Sequence, residues 1–128
     1  MKILVTGANG YVGTHLMLYL TRQGHKVWAV VKPSAKDEDL AILRDLKAVI
    51  VRNDLTGNGR LDVPAGELDA VIHLLGSVQA PEAGTFRSVH EGKTRFLSSE
   101  CRRLGVKKFV YLGTLGAALR APGEYLRT

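Results

Sequence analysis

Leu4-Val5-Thr6-Gly7-Ala8-Asn9-Gly10-Tyr11-Val12-Gly13 carries an apolar run into three glycines at the spacing T-G-x-x-G-x-x-G. Ile3-Leu4-Val5 is short enough for a buried strand. The residues that follow have helical periodicity, with Val12, Leu16 and Leu20 at i, i+4 and i+8. The pattern predicts a strand, a tight turn and a helix N-terminus, where unpaired backbone N–H groups and the positive dipole end can hold a phosphate pair. Gly7 would permit the turn, Gly10 would let the backbone approach a pyrophosphate, and Gly13 would let helix and sheet pack closely. Glycine-rich turns also occur in ordinary loops. Here the flanking strand and helix select the nucleotide-binding reading, with Asn9, Tyr11 and Val12 completing the candidate loop.

At 128 residues, 45% hydrophobic and 23% charged, the chain has the size and balance of one soluble globular domain spanning 1–128. A strand at residue 2 or 3 leaves no room for a signal peptide, and no apolar run reaches membrane-spanning length; a cytoplasmic location is expected. The single cysteine, Cys101, falls on the apolar face of a predicted helix and reads as a small core residue. The net charge of +6 raises nucleic acid as a partner, but the lysines and arginines are dispersed, with little aromatic interleaving. They read as solvated faces, a few of them available to a phosphate-bearing ligand.

Downstream, Gly24 stands at a helix C-cap and Lys26–Val31 reads as a second strand. It ends in Val31-Lys32-Pro33-Ser34-Ala35-Lys36, with no carboxylate before Asp37. At this position a carboxylate would pair with free ribose hydroxyls, whereas a base accommodates a 2′-phosphate, so Lys32 favours NADP over NAD. Ser34 and Asp37 resemble a capping box for a helix buried through Leu40, Leu43 and Leu46. Residues 48–52 form a third strand, followed by Asn53-Asp54-Leu55 where ligands collect in open α/β sheets. Asp54 can accept hydrogen bonds from an adenine amino group, or simply cap its turn. Residues 56–69, broken by Gly57, Gly59, Pro64 and Gly66, read as a surface loop. A fourth strand, 70–75, contains His73, expected to be a satisfied core histidine, and delivers Leu75 and Gly76 alongside the ligand. A long helix over 82–104 carries Phe86, Val89, Lys93, Phe96, Leu97, Cys101 and Leu104 near one face. Lys93 there either points to the cleft or snorkels to solvent. A fifth strand, 107–112, leads to Thr114.

With the glycine loop, LDAVIHLLG at 68–76 and GVKKFVYLGTLGA at 105–117 in hand, the chain resembles the short-chain dehydrogenase/reductase superfamily. It is most similar to the extended and atypical branch, which includes sugar-nucleotide epimerases and an accessory-subunit type of respiratory NADH dehydrogenase. The resemblance implies a Rossmann-type doubly wound α/β fold with strands in the order 3-2-1-4-5. It also implies an NAD(P) cofactor and hydride transfer at a carbonyl or hydroxyl of an unspecified small molecule. Its chemistry uses a Ser or Thr after the fifth strand and the tyrosine of Y-x-x-x-K, positions matched by Thr114 and Tyr125. The lysine would stand one residue past Thr128. Gly113 replaces a usual serine, His90 stands where asparagine is common, and no helix is expected between the third and fourth strands. The resemblance thus implies an N-terminal cofactor portion, truncated before a sixth strand and a substrate lobe. The alternative is a non-catalytic NADP(H) sensor or complex-docking module. An uncovered fifth-strand edge implies self-association or a place in a larger complex.

Overall fold

The computed structural model describes residues 1–57, 59–74, 85–113, 117–120, 123 and 128. Its strands are β1 (Lys2–Thr6), β2 (Lys26–Val31), β3 (Val49–Arg52), β4 (Ala70–His73) and β5 (Lys108–Tyr111), and its α-helices are α1 (Tyr11–Arg22), α2 (Ala41–Asp45) and α3 (Lys93–Leu104). The strands form one parallel sheet in the order β3-β2-β1-β4-β5, as the sequence implied. A parallel sheet is covered on both faces, so its central strands are continuously apolar. Ile3–Val5 and Val27–Val31 are accordingly buried without alternation.

The sheet divides the core in two. On one face Ile3, Val5, Ala29 and Val31 pack with Met17 and Leu20 of α1 and with Leu40 and Leu43. On the other, Leu4, Trp28, Val30 and Val51 pack with Leu97, Cys101 and Leu104 of α3. Cys101 is thus a core residue, and burial pushes its thiol up to about 11.

Three local expectations change. The buried stripe of α1 is Gly13, Met17 and Leu20, while Val12, in the first turn, is 51% exposed. Ser34 does not cap the next helix. Instead the Lys36 backbone N–H donates to the Asp39 carboxylate at 3.4 Å, and a 3₁₀ turn, Asp37–Leu40, precedes the short α2. The long helix is interrupted by a π-helical turn, Arg87–Gly92, before α3 begins. All three α-helices close the same way, with the residue that follows a left-handed one donating back to a last-turn carbonyl. The bonds run from His25 to Leu20, Ala48 to Leu43 and Val106 to Cys101. The left-handed residue inside each closure is Gly24, Lys47 or Gly105.

The link from β3 to β4 holds no helix or strand among its described residues, yet it is more than a surface loop. Leu61, Val63 and Leu68 are buried in the core that α3 covers. Glu100 accepts the Leu61 N–H at 3.0 Å and pairs with Arg103 at 2.6 Å, and Arg103 donates to the Leu61 carbonyl. The Arg103 guanidinium, followed by the Leu61 N–H, holds the Glu100 carboxyl below its ordinary range against the opposing effect of burial. Gly66 donates to the Leu104 carbonyl, and Glu67 pairs with Lys2. Sparse apolar spacing concealed this role, since Leu61, Val63 and Leu68, with Leu55 just past the end of β3, reach the core at irregular intervals.

Two substitutions should act in opposite directions. A Cβ on Gly13 would lie 2.0 Å from the Gly7 carbonyl oxygen and 2.8 Å from the Ala8 Cα, both backbone atoms that can move only if α1 moves. Gly13→Ala should therefore lower stability by ~3 kcal/mol or more in urea unfolding. Lys47 has φ +57 with a Cβ, so Lys47→Gly should raise stability by ~1 kcal/mol in the same measurement.

Candidate functional site

The C-terminal ends of β1, β2 and β3 open on a cleft of about 350 Å³. Its floor is built by the glycine loop. Gly7 turns the chain at φ +67, the Gly10 N–H closes the turn on the Gly7 carbonyl at 3.1 Å, and α1 starts at the next residue. No side chain caps that helix and no acidic residue lies in its first turn. Its amide donors and dipole therefore stay available to an anion. Gly10 lines the cleft, and its missing side chain keeps the opening clear.

Of the residues expected at the site, Gly7, Asn9, Gly10, Lys32, Asp54, Leu55 and Lys93 line this cleft. Tyr11, Val12 and Gly13 do not. Gly13 is wedged behind the loop, whereas Tyr11 is 84% exposed with its ring 4.8 Å from that of His15. Leu75, Gly76, Thr114 and Tyr125 lie outside the described residues. Thr6, Ser34, Asp39 and Asn53 also line the cleft; from sequence Ser34 had only a capping role, Asn53 stood at a ligand-collecting strand end, and none of the four was assigned to the site. Thr6, Ser34 and Asn53 are polar residues at or just past a strand end, which is the signal that could have found them, whereas Asp39 comes from the 3₁₀ turn and carries no such signal.

The β3 end is a set of locked turns. Asn53 accepts the Leu55 N–H at 2.7 Å and donates to the Arg60 carbonyl at 3.1 Å, which holds Leu55 at φ +57 with its side chain in the core. Asp54 accepts from the Thr56 hydroxyl at 2.7 Å and the Thr56 N–H at 3.1 Å, and these bonds hold its carboxyl below its ordinary value. Arg52 fixes the turn after β2 by donating to the Pro33 and Ala35 carbonyls at 3.1 and 2.7 Å. Lys93 is half-buried rather than snorkelled into solvent. Burial, then the charge of Lys32, lowers its proton affinity, and Asp54 opposes both.

Behind the cleft, His73 is fully buried and satisfied, as its place in an apolar strand implied. Its Nδ1 lies 2.6 Å from the Thr6 hydroxyl and its Nε2 3.0 Å from the Thr94 hydroxyl, and the Thr94 hydroxyl donates to the His90 carbonyl. Thr94 has spent its proton, so it accepts one from His73 Nε2, and Nδ1 accepts from Thr6. The network assigns a neutral Nε2–H tautomer. Burial, then the charge of Lys93, holds the imidazole down to about 4.

The fold and cleft define a Rossmann-like nucleotide-binding architecture, with an uncapped helix N-terminus at the end of the central strand. The chain belongs to the NAD-dependent epimerase/dehydratase family, whose profile matches residues 3–124. It is 31% identical over 119 residues to the photosystem II assembly factor Ycf39 of Synechocystis sp., covering 92% of this chain and 35% of that one. It is 28% identical to a ceramide reductase of Caulobacter vibrioides, covering 90% and 35%. Among solved structures, a putative NAD-dependent epimerase/dehydratase of Bacillus halodurans is 26% identical and matches with a TM-score of 0.73 over 91% of this chain and 53% of that one. A UDP-glucose-4-epimerase of Stenotrophomonas maltophila, solved with bound NAD, is 23% identical and shares the fold over 91% of this chain and 38% of its own, with a TM-score of 0.72. The chain spans about a third of the length of these two curated relatives. No described helix is long and apolar enough to cross a membrane.

The buried imidazole makes stability pH-dependent. An unfolded histidine titrates near 6.5 and His73 near 4, so between these values the unfolded chain binds more protons. Its contribution is complete above pH 6.5 and is lost as the pH falls toward 4, on the order of 3 kcal/mol in all. Urea midpoints should fall more steeply across this window for the unaltered protein than for His73→Gln, and equal slopes would refute the assignment.

Proposed function

We propose that the chain is the NADP(H)-binding domain, residues 1–128, of a cytoplasmic short-chain reductase or epimerase-like protein that continues beyond Thr128. The observation that carries this reading is the cleft, with the uncapped start of α1 on one side and Lys32 following β2 on the other. The residues fit a dinucleotide. The glycine loop presents backbone donors where a pyrophosphate would lie, and Asn9, Asp54 and the Leu55 backbone border the rest, with Leu75 and Gly76 assigned by sequence alone. Lys32 makes no ion pair among the described residues, which leaves its charge for a 2′-phosphate and favours NADP over NAD. Asp39 also lines the cleft, but its carboxylate faces the Lys36 N–H at the start of the 3₁₀ turn.

When bound, the nicotinamide supplies or accepts a hydride. The protein's part would be proton transfer at a substrate carbonyl or hydroxyl by Tyr125, supported by Thr114 and by a lysine from the following polypeptide. Relatives named as a ceramide reductase and a UDP-glucose 4-epimerase support such chemistry without selecting a substrate. The relative named as a photosystem II assembly factor favours a second reading, in which the same cleft serves a sensor or docking module without turnover. Phe109, Val110 and Tyr111 are exposed along β5, in keeping with a further strand, a second copy or a larger complex covering that edge.

At about 100 times its Kd, NADPH should stabilise the native state by ~2.7 kcal/mol, a rise of roughly 10 °C in thermal midpoint. NADH at equal concentration should give a smaller rise. Gly10→Val, which places a branched side chain at the mouth of the cleft, should abolish both shifts. No shift of the unaltered protein with either dinucleotide would overturn the proposal.

A further inference from the structure

We propose that Lys93 is a specificity-determining residue that closes a two-lysine clamp with Lys32 on the 2′-phosphate of the adenosine half. The inference rests on the cofactor reading above and adds a residue from a different wall of the cleft. Lys32 follows β2, whereas Lys93 opens α3, the helix between β4 and β5. Both line the same 350 Å³ cleft.

The position of Lys93 is unusual for a cation. Lys93, Leu97, Cys101 and Leu104 follow one another at i, i+4, i+8 and i+11, so the lysine continues the stripe by which α3 covers the sheet. Leu97, Cys101 and Leu104 are buried in the core, but Lys93 lies one turn nearer the strand ends, where the stripe passes the sheet and meets the cleft. A lysine there surrenders part of its hydration and faces a second ammonium. Among the described residues neither lysine forms an ion pair. The nearby carboxylates have donors of their own: Asp54 takes two hydrogen bonds from Thr56, and Asp39 takes one from Lys36. Arg52 is spent on the Pro33 and Ala35 carbonyls. Two uncommitted ammonium groups thus remain together, Lys32 exposed and Lys93 half-buried, and the charge of Lys32 disfavours protonation of Lys93.

An anion between them removes that repulsion, and a doubly charged one removes most. A phosphate monoester carries close to two negative charges at neutral pH, whereas each phosphorus of a pyrophosphate diester carries one. Location agrees with charge. The glycine loop at β1 offers backbone donors for the diester, while Lys93 is electrostatically coupled to Lys32 after β2 and Asp54 after β3. Those are the strand ends toward which the adenosine half extends in this architecture. Ser34 lines the same wall as Lys32 and adds a hydroxyl donor.

Calorimetric titration with adenosine 2′,5′-bisphosphate and with adenosine 5′-monophosphate isolates the extra phosphate. The unaltered protein should bind the bisphosphate at least tenfold more tightly. Lys93→Met should erase most of that preference while changing affinity for the monophosphate less than twofold, Lys93→Arg should keep most of it, and Lys32→Met should resemble Lys93→Met. Unliganded Lys93→Met should unfold at or above the midpoint of the unaltered protein, because repulsion is relieved. If it does not fold, Lys93→Gln takes its place. Equal losses for both ligands would put Lys93 at the 5′-phosphate, and an unchanged preference would remove it from the site; either overturns the inference and leaves the cofactor reading intact. An unaltered protein that binds neither nucleotide nor NADPH would overturn both.

Discussion

The contact between Gly13 and the carbonyl of Gly7 determines where everything else in the site can be. With only 2.0 Å between that oxygen and the place a Cβ would take, α1 can descend onto the end of β1 as no other residue type would allow. The descent fixes the direction of the helix axis and sets its first amides at the floor of the cleft. Gly7 contributes the matching condition, a left-handed turn at φ +67 that reverses the chain within the span available. Gly10 is the least constrained of the three, since a Cβ there would be 3.3 Å from its nearest neighbour. Its smallness matters for the space in front of it rather than for the fold behind it. The glycines therefore divide the work between conformation, access and packing.

A second constraint comes from the β3 to β4 connection. Without a helix among its described residues, it leaves the sheet face over β3 to be covered by four of its side chains, Leu55, Leu61, Val63 and Leu68, and by α3. This gives Glu100 a structural purpose. A carboxylate 7% exposed is costly unless its lone pairs are filled, and here Arg103 and the Leu61 N–H fill them while pinning the loop to the helix. The consequence reaches the cleft. With α3 rather than an intervening helix beside Leu55 and Val51, the first turn of α3 borders the end of β3, and Lys93 comes within electrostatic range of Asp54.

Strand positions were legible because they depend on what neighbours in sequence impose, whereas the sheet order came with the family resemblance. Buried parallel strands are apolar runs, and three glycines at fixed spacing imply one backbone path. Helix details were less so. Val12 matches the period of Leu16 and Leu20, but the need to bury Gly13 rotates α1 until Val12 faces solvent. The π-helical turn before Lys93 and the capping of the 3₁₀ turn by Asp39 depend on a few local hydrogen bonds that composition does not announce. Buried Leu61, Val63 and Leu68 were hidden for a related reason: their partners are on α3, far along the chain, and an irregular loop has no period to reveal them. Lys32, Asp54 and Lys93 were each legible as residues near a strand end or helix face. That they share one cleft, with two carboxylates already occupied, is a tertiary fact.

The neutral His73 completes the electrostatic arrangement. It sits between Thr6, which lines the cleft, and Thr94, which follows Lys93, so a proton gained there would set a third cation behind two lysines. The hydroxyl of Thr6 points its hydrogen at Nδ1 and the hydroxyl of Thr94 accepts from Nε2, a polarity that a protonated ring would break at Nδ1. Desolvation and Lys93 oppose protonation from the same side. The imidazole therefore joins β1, β4 and the start of α3 through directed hydrogen bonds without adding charge. Positive potential in the cleft is left to groups that can move toward an anion, the two lysine side chains, and to one that is fixed, the open end of α1. Although the chain's net charge of +6 is dispersed over its surface, these groups concentrate it where the backbone is already shaped to accept phosphate.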